Sequence, residues 1–107
     1  MIYKFKSKAA GDVIMMGPTG DQVLRAIGRD PAPKGIFEVA DMPAAIAAIE
    51  RAIADDEAAR KQAEQEAAAE GKKLGPRDAV SLRQRAWPLV EMMKRAIAEG
   101  HEIVWGV

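Results

Sequence analysis

The closing stretch of the chain restricts its fold more than any other. From Asp78 to Val107 it reads DAVSLRQRAWPLVEMMKRAIAEGHEIVWGV, an amphipathic run followed by a glycine and an apolar tail. At 100° per residue, Leu82, Ala86, Leu89, Val90, Met93, Ala96 and Ile97 fall within about 120° of arc, the width of a helical stripe laid on a core. Glu91, Arg95 and Glu99 lie on the far side, with Glu91 and Arg95 spaced as an acid-to-base pair one turn apart. Ser81 with Gln84 has the form of a capping box, Asp78 offers an earlier start, and Gly100 stands where a left-handed C-cap belongs. Beyond it Ile103, Trp105 and Val107 alternate with Glu102, Val104 and Gly106, the period of a strand.

A helix and strand of this kind need a sheet to rest on, and the opening residues supply it. Tyr3, Phe5 and Ser7 alternate with Lys4, Lys6 and Lys8, which marks a strand with one wet face. After a small linker, Ala9-Ala10-Gly11, the run Asp12 to Met16 is apolar on both faces and predicts a second, more interior strand closing a hairpin. GPTGDQVLRAIG then predicts a short helix, with Thr19 and Gln22 as a capping box, Val23, Leu24 and Ile27 buried, and Gly28 as C-cap. RDPAPKG is a loop; Ile36 to Val39 reads as a further strand, and Asp41 as the cap of the next helix.

In that helix Ile46, Ile49 and Ile53 share a face, and Pro43 is tolerated in its first turn. Glu57, Arg60, Lys61 and Glu64 then take over the same angular sector, so contact with the core should stop near Ala54 to Asp56. A helix continuing to Ala69 would span about 42 Å, longer than a body of this size is wide. Residues 55–73 are therefore expected to project or fray, until Gly71 to Pro76 returns the chain. The expectation is one domain over residues 1–107, of the α+β class: a two-layer sandwich, with a small mixed sheet of three to four strands and about three helices on one face.

Composition excludes several functions. Cysteine is absent, which removes disulfides, thiolate metal sites and a cysteine nucleophile, and suits a reducing cytoplasm. No apolar run reaches the length of a membrane span, and MIYKFKSK lacks the apolar stretch of a signal peptide, so a cytoplasmic protein is expected. Sixteen basic residues balance sixteen acidic ones, leaving no global field toward nucleic acid or anionic lipid. Of the hydrophobic residues 21 are alanine, so the packed body is smaller than the chain.

Three stretches together, YKFKSKAAGDVIMMGPTGDQVLRAIG, PKGIFEVADMPAAIAAIE and VSLRQRAWPLVEMM with VWGV, resemble the small bacterial, mainly proteobacterial, family catalogued as domain of unknown function 1840. The likeness covers nearly the whole chain and is loosest after Asp55. It implies a compact cytoplasmic protein and brings with it no activity, cofactor or site residue.

The residues themselves present no catalytic constellation, no cofactor motif and no metal-ligand set. The single histidine, His101, follows a helix stop, where it caps rather than catalyses. Asp55, Asp56 and Glu57 are consecutive on a helix and point apart, and Met15 and Met93 fit core positions. GPTGD before a helix suggests anion binding, yet it lacks the lysine ending of a phosphate loop, and Asp21 is expected to bring negative charge to the first turn.

Two features remain for a partner. One is the stripe Lys4, Lys6 and Lys8, whose strand face also receives Ile14, Met16 and Val104 if parity holds. The other is Trp87, one turn after Arg83, at the edge of its helix stripe. A basic run, Lys72, Lys73, Arg77, Arg83 and Arg85, accompanies them, but Tyr3 and Phe5 face away from the lysines, which argues against nucleic acid. Together these expectations describe a non-enzymatic protein-protein interaction module or homodimer, with Lys4, Lys6, Lys8, Arg83 and Trp87 as its surface. The competing reading is a small-ligand or anion-binding domain built on the turn from Gly17 to Asp21.

Overall fold

The computed structural model describes residues 2–71 and 81–106. The element order is β1 (Ile2–Ser7), β2 (Ala10–Met16), α1 (Gly17–Ile27), β3 (Gly35–Phe37), a 3-10 turn (Val39–Asp41), α2 (Met42–Ala69), α3 (Leu82–Glu99) and β4 (Ile103–Trp105). The strands form one sheet in the order β2-β1-β4-β3, with the helices layered on one face, so the two-layer α+β expectation holds. Every pairing is antiparallel, where a mixed sheet was expected. The reason is the two-helix connection: α2 and α3 run out and back, which adds a reversal that a single crossover helix would lack.

The core lies between the layers. Tyr3 and Phe5 of β1, Phe37 of β3 and Trp105 of β4 all turn toward the helices, with the Phe5 and Trp105 ring centroids 5.6 Å apart and those of Phe37 and Trp105 5.0 Å apart. Against them α3 sets Leu89, Val90, Met92, Met93 and Ala96, all buried, and α2 sets Met42, Ala45, Ile49 and Ile53. The α3 stripe read from the sequence is thus the core-facing stripe, widened by Met92. Its ends also form as the sequence implies. Ser81 Oγ accepts from the Gln84 amide at 3.2 Å while the Gln84 side chain accepts from the Ser81 amide at 2.9 Å, and Gly100 closes the helix with φ of 72°.

Three local expectations are revised. The helix α1 begins at Gly17, so Thr19 lies inside its first turn, where no side-chain capping bond forms. Asp21 consequently sits beyond the first turn and accepts a hydrogen bond from the Tyr3 hydroxyl. The Ile36 to Val39 strand is shorter, Gly35–Phe37, because Glu38 and Asp41 cap a 3-10 turn, the Glu38 amide donating to Asp41 Oδ2 at 3.2 Å; Asp41 makes no side-chain cap on α2. The hairpin turn is only Lys8 and Ala9, so β2 starts at Ala10.

The most informative revision concerns β2. Its two apolar faces predict an interior strand, yet among the described residues it pairs only with β1 and forms an edge of the sheet. Along the other long element, buried positions of α2 end at Ile53, while the helix itself continues to Ala69 and the molecule extends 51 × 26 × 23 Å. The stop from Lys72 to Pro76, the Asp78 cap, the basic residues Lys72, Lys73 and Arg77, and Val107 lie outside the described residues.

Candidate interaction surface

The helices cover one face of the sheet, and the residues of the opposite face follow from the strand register. Ile2 pairs with Met16 and Lys4 with Ile14 across β1 and β2, while Val104 of β4 stands between Lys6 of β1 and Ile36 of β3. Cross-strand partners share a face. Ile2, Ile14, Met16, Ile36 and Val104 therefore lie beside Lys4 and Lys6 on the open side. Ile2 is 61% exposed, Ile14 62%, Met16 65% and Ile36 39%. These are the exposed large apolar side chains of the described residues, and all four sit on this face. The parity expected for Ile14, Met16 and Val104 with the lysines is the arrangement found.

Charge on the face is modest and partly paired. Lys4 Nζ lies 3.6 Å from Asp12 Oδ2 of the neighbouring strand, an exposed contact that fixes little more than local register. Lys8 belongs to the hairpin turn, not to the strand, but a shallow hollow of about 300 Å³ brings it together with Lys6, Glu102 and Val104.

Arg83 and Trp87 lie elsewhere, on α3 in the helix layer, so the five candidate residues do not share one surface. Arg83 bonds Glu57 of α2 through both Nε, at 3.1 Å, and Nη2. The Trp87 ring is half-buried against the core, with the Arg83 guanidinium 5.8 Å and the Lys94 ammonium 5.0 Å from its centroid. Two cations near one indole, one of them tied to α2, make Trp87 a brace between helices.

The glycine-rich turn before α1 is likewise engaged. A Cβ on Gly20 would come within 2.0 Å of the Tyr3 ring, so the glycine is what allows α1 to close onto β1, and Asp21 then takes the Tyr3 hydroxyl. Burial, and then the bond to Asp21, push the Tyr3 pKa up to about 12. Thr19, the one buried polar residue described, accepts from Arg85 Nη1 at 3.2 Å. Between β2 and the start of α3 this leaves a cleft of about 420 Å³, lined by Ile14, Met16, Thr19, Arg85 and Pro88 among others.

Elsewhere the described residues offer little chemistry. No group of three or more acidic or histidine side chains is placed to hold a metal, and no helix is long and apolar enough to cross a membrane. His101 follows the Gly100 cap, its backbone amide donating to the Ala96 carbonyl at 3.0 Å.

A family model matches residues 1–105 of the 107. The chain belongs to the family Domain of unknown function (DUF1840). No curated protein and no solved structure matches it. The DUF1840 match runs through every strand and helix described above, including β2 and the whole of α2.

Sequence reasoning found the lysine side of the face and the apolar parity that accompanies it. It missed Ile2 and Ile36, whose exposure depends on their pairing with Met16 and Val104. The available signal was the parity of Ile2 with Lys4 and Lys6 along β1.

Proposed function

We propose that this DUF1840 chain is a non-enzymatic interaction module whose open sheet face packs on the same face of a second copy. The observation that carries the reading is the contrast within β2, where Met15 is 4% exposed and its neighbours Ile14 and Met16 are 62% and 65% exposed. A strand with apolar residues on both sides is the pattern of a sheet covered on both sides. A second copy fits the charge as well. The face offers Lys4, Lys6 and Lys8 together with Asp12 and Glu102, so a twofold arrangement can set the bases of one copy near the acids of the other.

Area decides the strength. At about 4.8 Å between strands and about 3.3 Å per residue, the strands of this sheet offer roughly 300 Å² per copy. Two such faces bury well under the ~1,200 Å² of a stable complex, so the pairing is of the transient class. Sedimentation velocity from about 10 μM to about 1 mM tests it. The expected result is a monomer that shifts reversibly toward dimer at the upper end, and loses that shift when Val104→Glu puts a carboxylate into the apolar centre of the twofold face. A wild-type chain that stays monomeric throughout refutes the proposal.

A further inference from the structure

Resting on that reading of the open face, we infer that Met16 is a site of reversible oxidation, at which a peroxide converts the thioether to a sulfoxide and switches the self-pairing off. The chain has six methionines. Of the five described, Met15, Met42, Met92 and Met93 belong to the core and are between 0% and 4% exposed, whereas Met16 is 65% exposed. Susceptibility to oxidation follows exposure, so among the described residues Met16 is the methionine that offers its sulfur to a dissolved oxidant.

Its surroundings give that chemistry a consequence. Met16 stands opposite Ile2 across β1 and β2, and Ile14 lies two residues back along the same strand, on the same face. Ile2, Ile14 and Met16, three of the four exposed large apolar side chains described, thus form one apolar corner of the open side. Isoleucine carries nothing that peroxide oxidises. Met16 is therefore the one member of that corner whose polarity can change while the sequence stays the same. A sulfoxide is polar and chiral where the thioether was apolar and flexible. Pressed between two faces it gives up its hydrogen bonds to water, and a polar group desolvated without a partner opposes association. A twofold pair carries the change twice, once from each copy.

The step balances with peroxide as its only co-reactant. The sulfur donates a lone pair to one peroxide oxygen, the S–O bond forms as the O–O bond breaks, and the second oxygen leaves as hydroxide. That hydroxide takes the proton still carried by the transferred oxygen, so the products are the sulfoxide and water. Sulfur is oxidised by two electrons and the peroxide is reduced by the same two. Because the pairing is of the transient class, the oxidant meets Met16 on the free monomer. Methionine sulfoxide reductases, one for each sulfoxide epimer, return the thioether and with it the apolar corner.

The test treats the full chain with hydrogen peroxide in dilute solution, removes the oxidant, and follows each methionine by peptide mass spectrometry. Met16 should be oxidised at least tenfold faster than Met15, Met42, Met92 or Met93, with far-UV circular dichroism unchanged. In sedimentation velocity the oxidised chain should lose the shift toward dimer of the untreated chain, its dissociation constant rising at least tenfold. Treatment with both reductases should restore it. Met16→Leu keeps size and apolarity without the sulfur, so it should pair as the wild type does and go on pairing after the same exposure to peroxide. That variant separates Met16 from Met1, which lies outside the described residues. The inference is overturned by a buried methionine oxidised as fast as Met16, by a Met16-oxidised chain that pairs as well as the untreated one, or by Met16→Leu losing its pairing to peroxide. An untreated chain that is monomeric at every concentration refutes the pairing itself, and this inference with it, before any oxidant is added, so the two fail on different measurements.

Discussion

Met15 and Met16 are neighbours of the same residue type on one strand, with opposite fates, and replacing each by alanine measures the asymmetry of the sheet directly. Met15 is 4% exposed and packs between the sheet and the helices; Met16 is 65% exposed on the open face. Truncating a buried methionine removes its transfer free energy and leaves a cavity, at a cost of about 2–5 kcal/mol. Only about a third of Met16 is out of water, so Met16→Ala should cost less than about 1 kcal/mol. With a urea slope of roughly 1.5 kcal/mol per molar, the midpoint should fall by about 2 M for Met15→Ala and by less than about 0.7 M for Met16→Ala. Both are read by far-UV circular dichroism at about 5 μM protein, where self-association is negligible. At several hundred micromolar the Met16→Ala deficit should widen, because mass action then credits the wild type with a contact the variant lacks. Equal midpoint losses for the two variants in dilute protein would refute the assignment of faces, and with it the reasoning about the open side.

Two further outcomes follow from the packing. Gly20→Ala should destabilise the fold by more than about 2 kcal/mol in the same urea assay, since the new methyl collides with the Tyr3 ring in a packed interior. Tyr3 is the chain's single tyrosine, so its ionisation can be followed alone in the ultraviolet. Its folded pKa, about 12, lies above the ordinary value of 10.0, so the native state holds the proton more tightly. The stability this contributes is complete below pH 10 and is lost as pH rises through about 12. Alkaline unfolding should therefore accompany the absorbance change, and Tyr3→Phe should shift that unfolding to higher pH.

The parts of this fold legible in the sequence are those decided by neighbours along the chain. The α3 stripe, its Ser81 and Gln84 capping box and its Gly100 stop depend on spacings of three and four residues, and all appear in the structure. The alternation in β1 likewise assigned Tyr3 and Phe5 to the core. Periodicity reports which face a side chain takes, not which strand stands beside it, so the two apolar faces of β2 suggest an interior strand where, among the described residues, it forms an edge. The start of α1 differs for a local reason: Thr19 and Gln22 have capping chemistry, but Pro18 suits a first helical turn and the helix begins at Gly17. The grouping of Lys4 and Lys6 with Val104 was foreseeable by parity, whereas the separation of Arg83 and Trp87 from them required knowing which layer α3 occupies.

The unequal edges of the sheet also set a limit on assembly. Because Arg29, bonded to the Ile36 carbonyl, and the short, proline-preceded β3 block one side while β2 is unpaired on the other among the described residues, edge-to-edge growth has a single direction open to it. Two copies that met through β2 would turn only blocked β3 edges outward, which leaves no competent end from which a fibre could elongate.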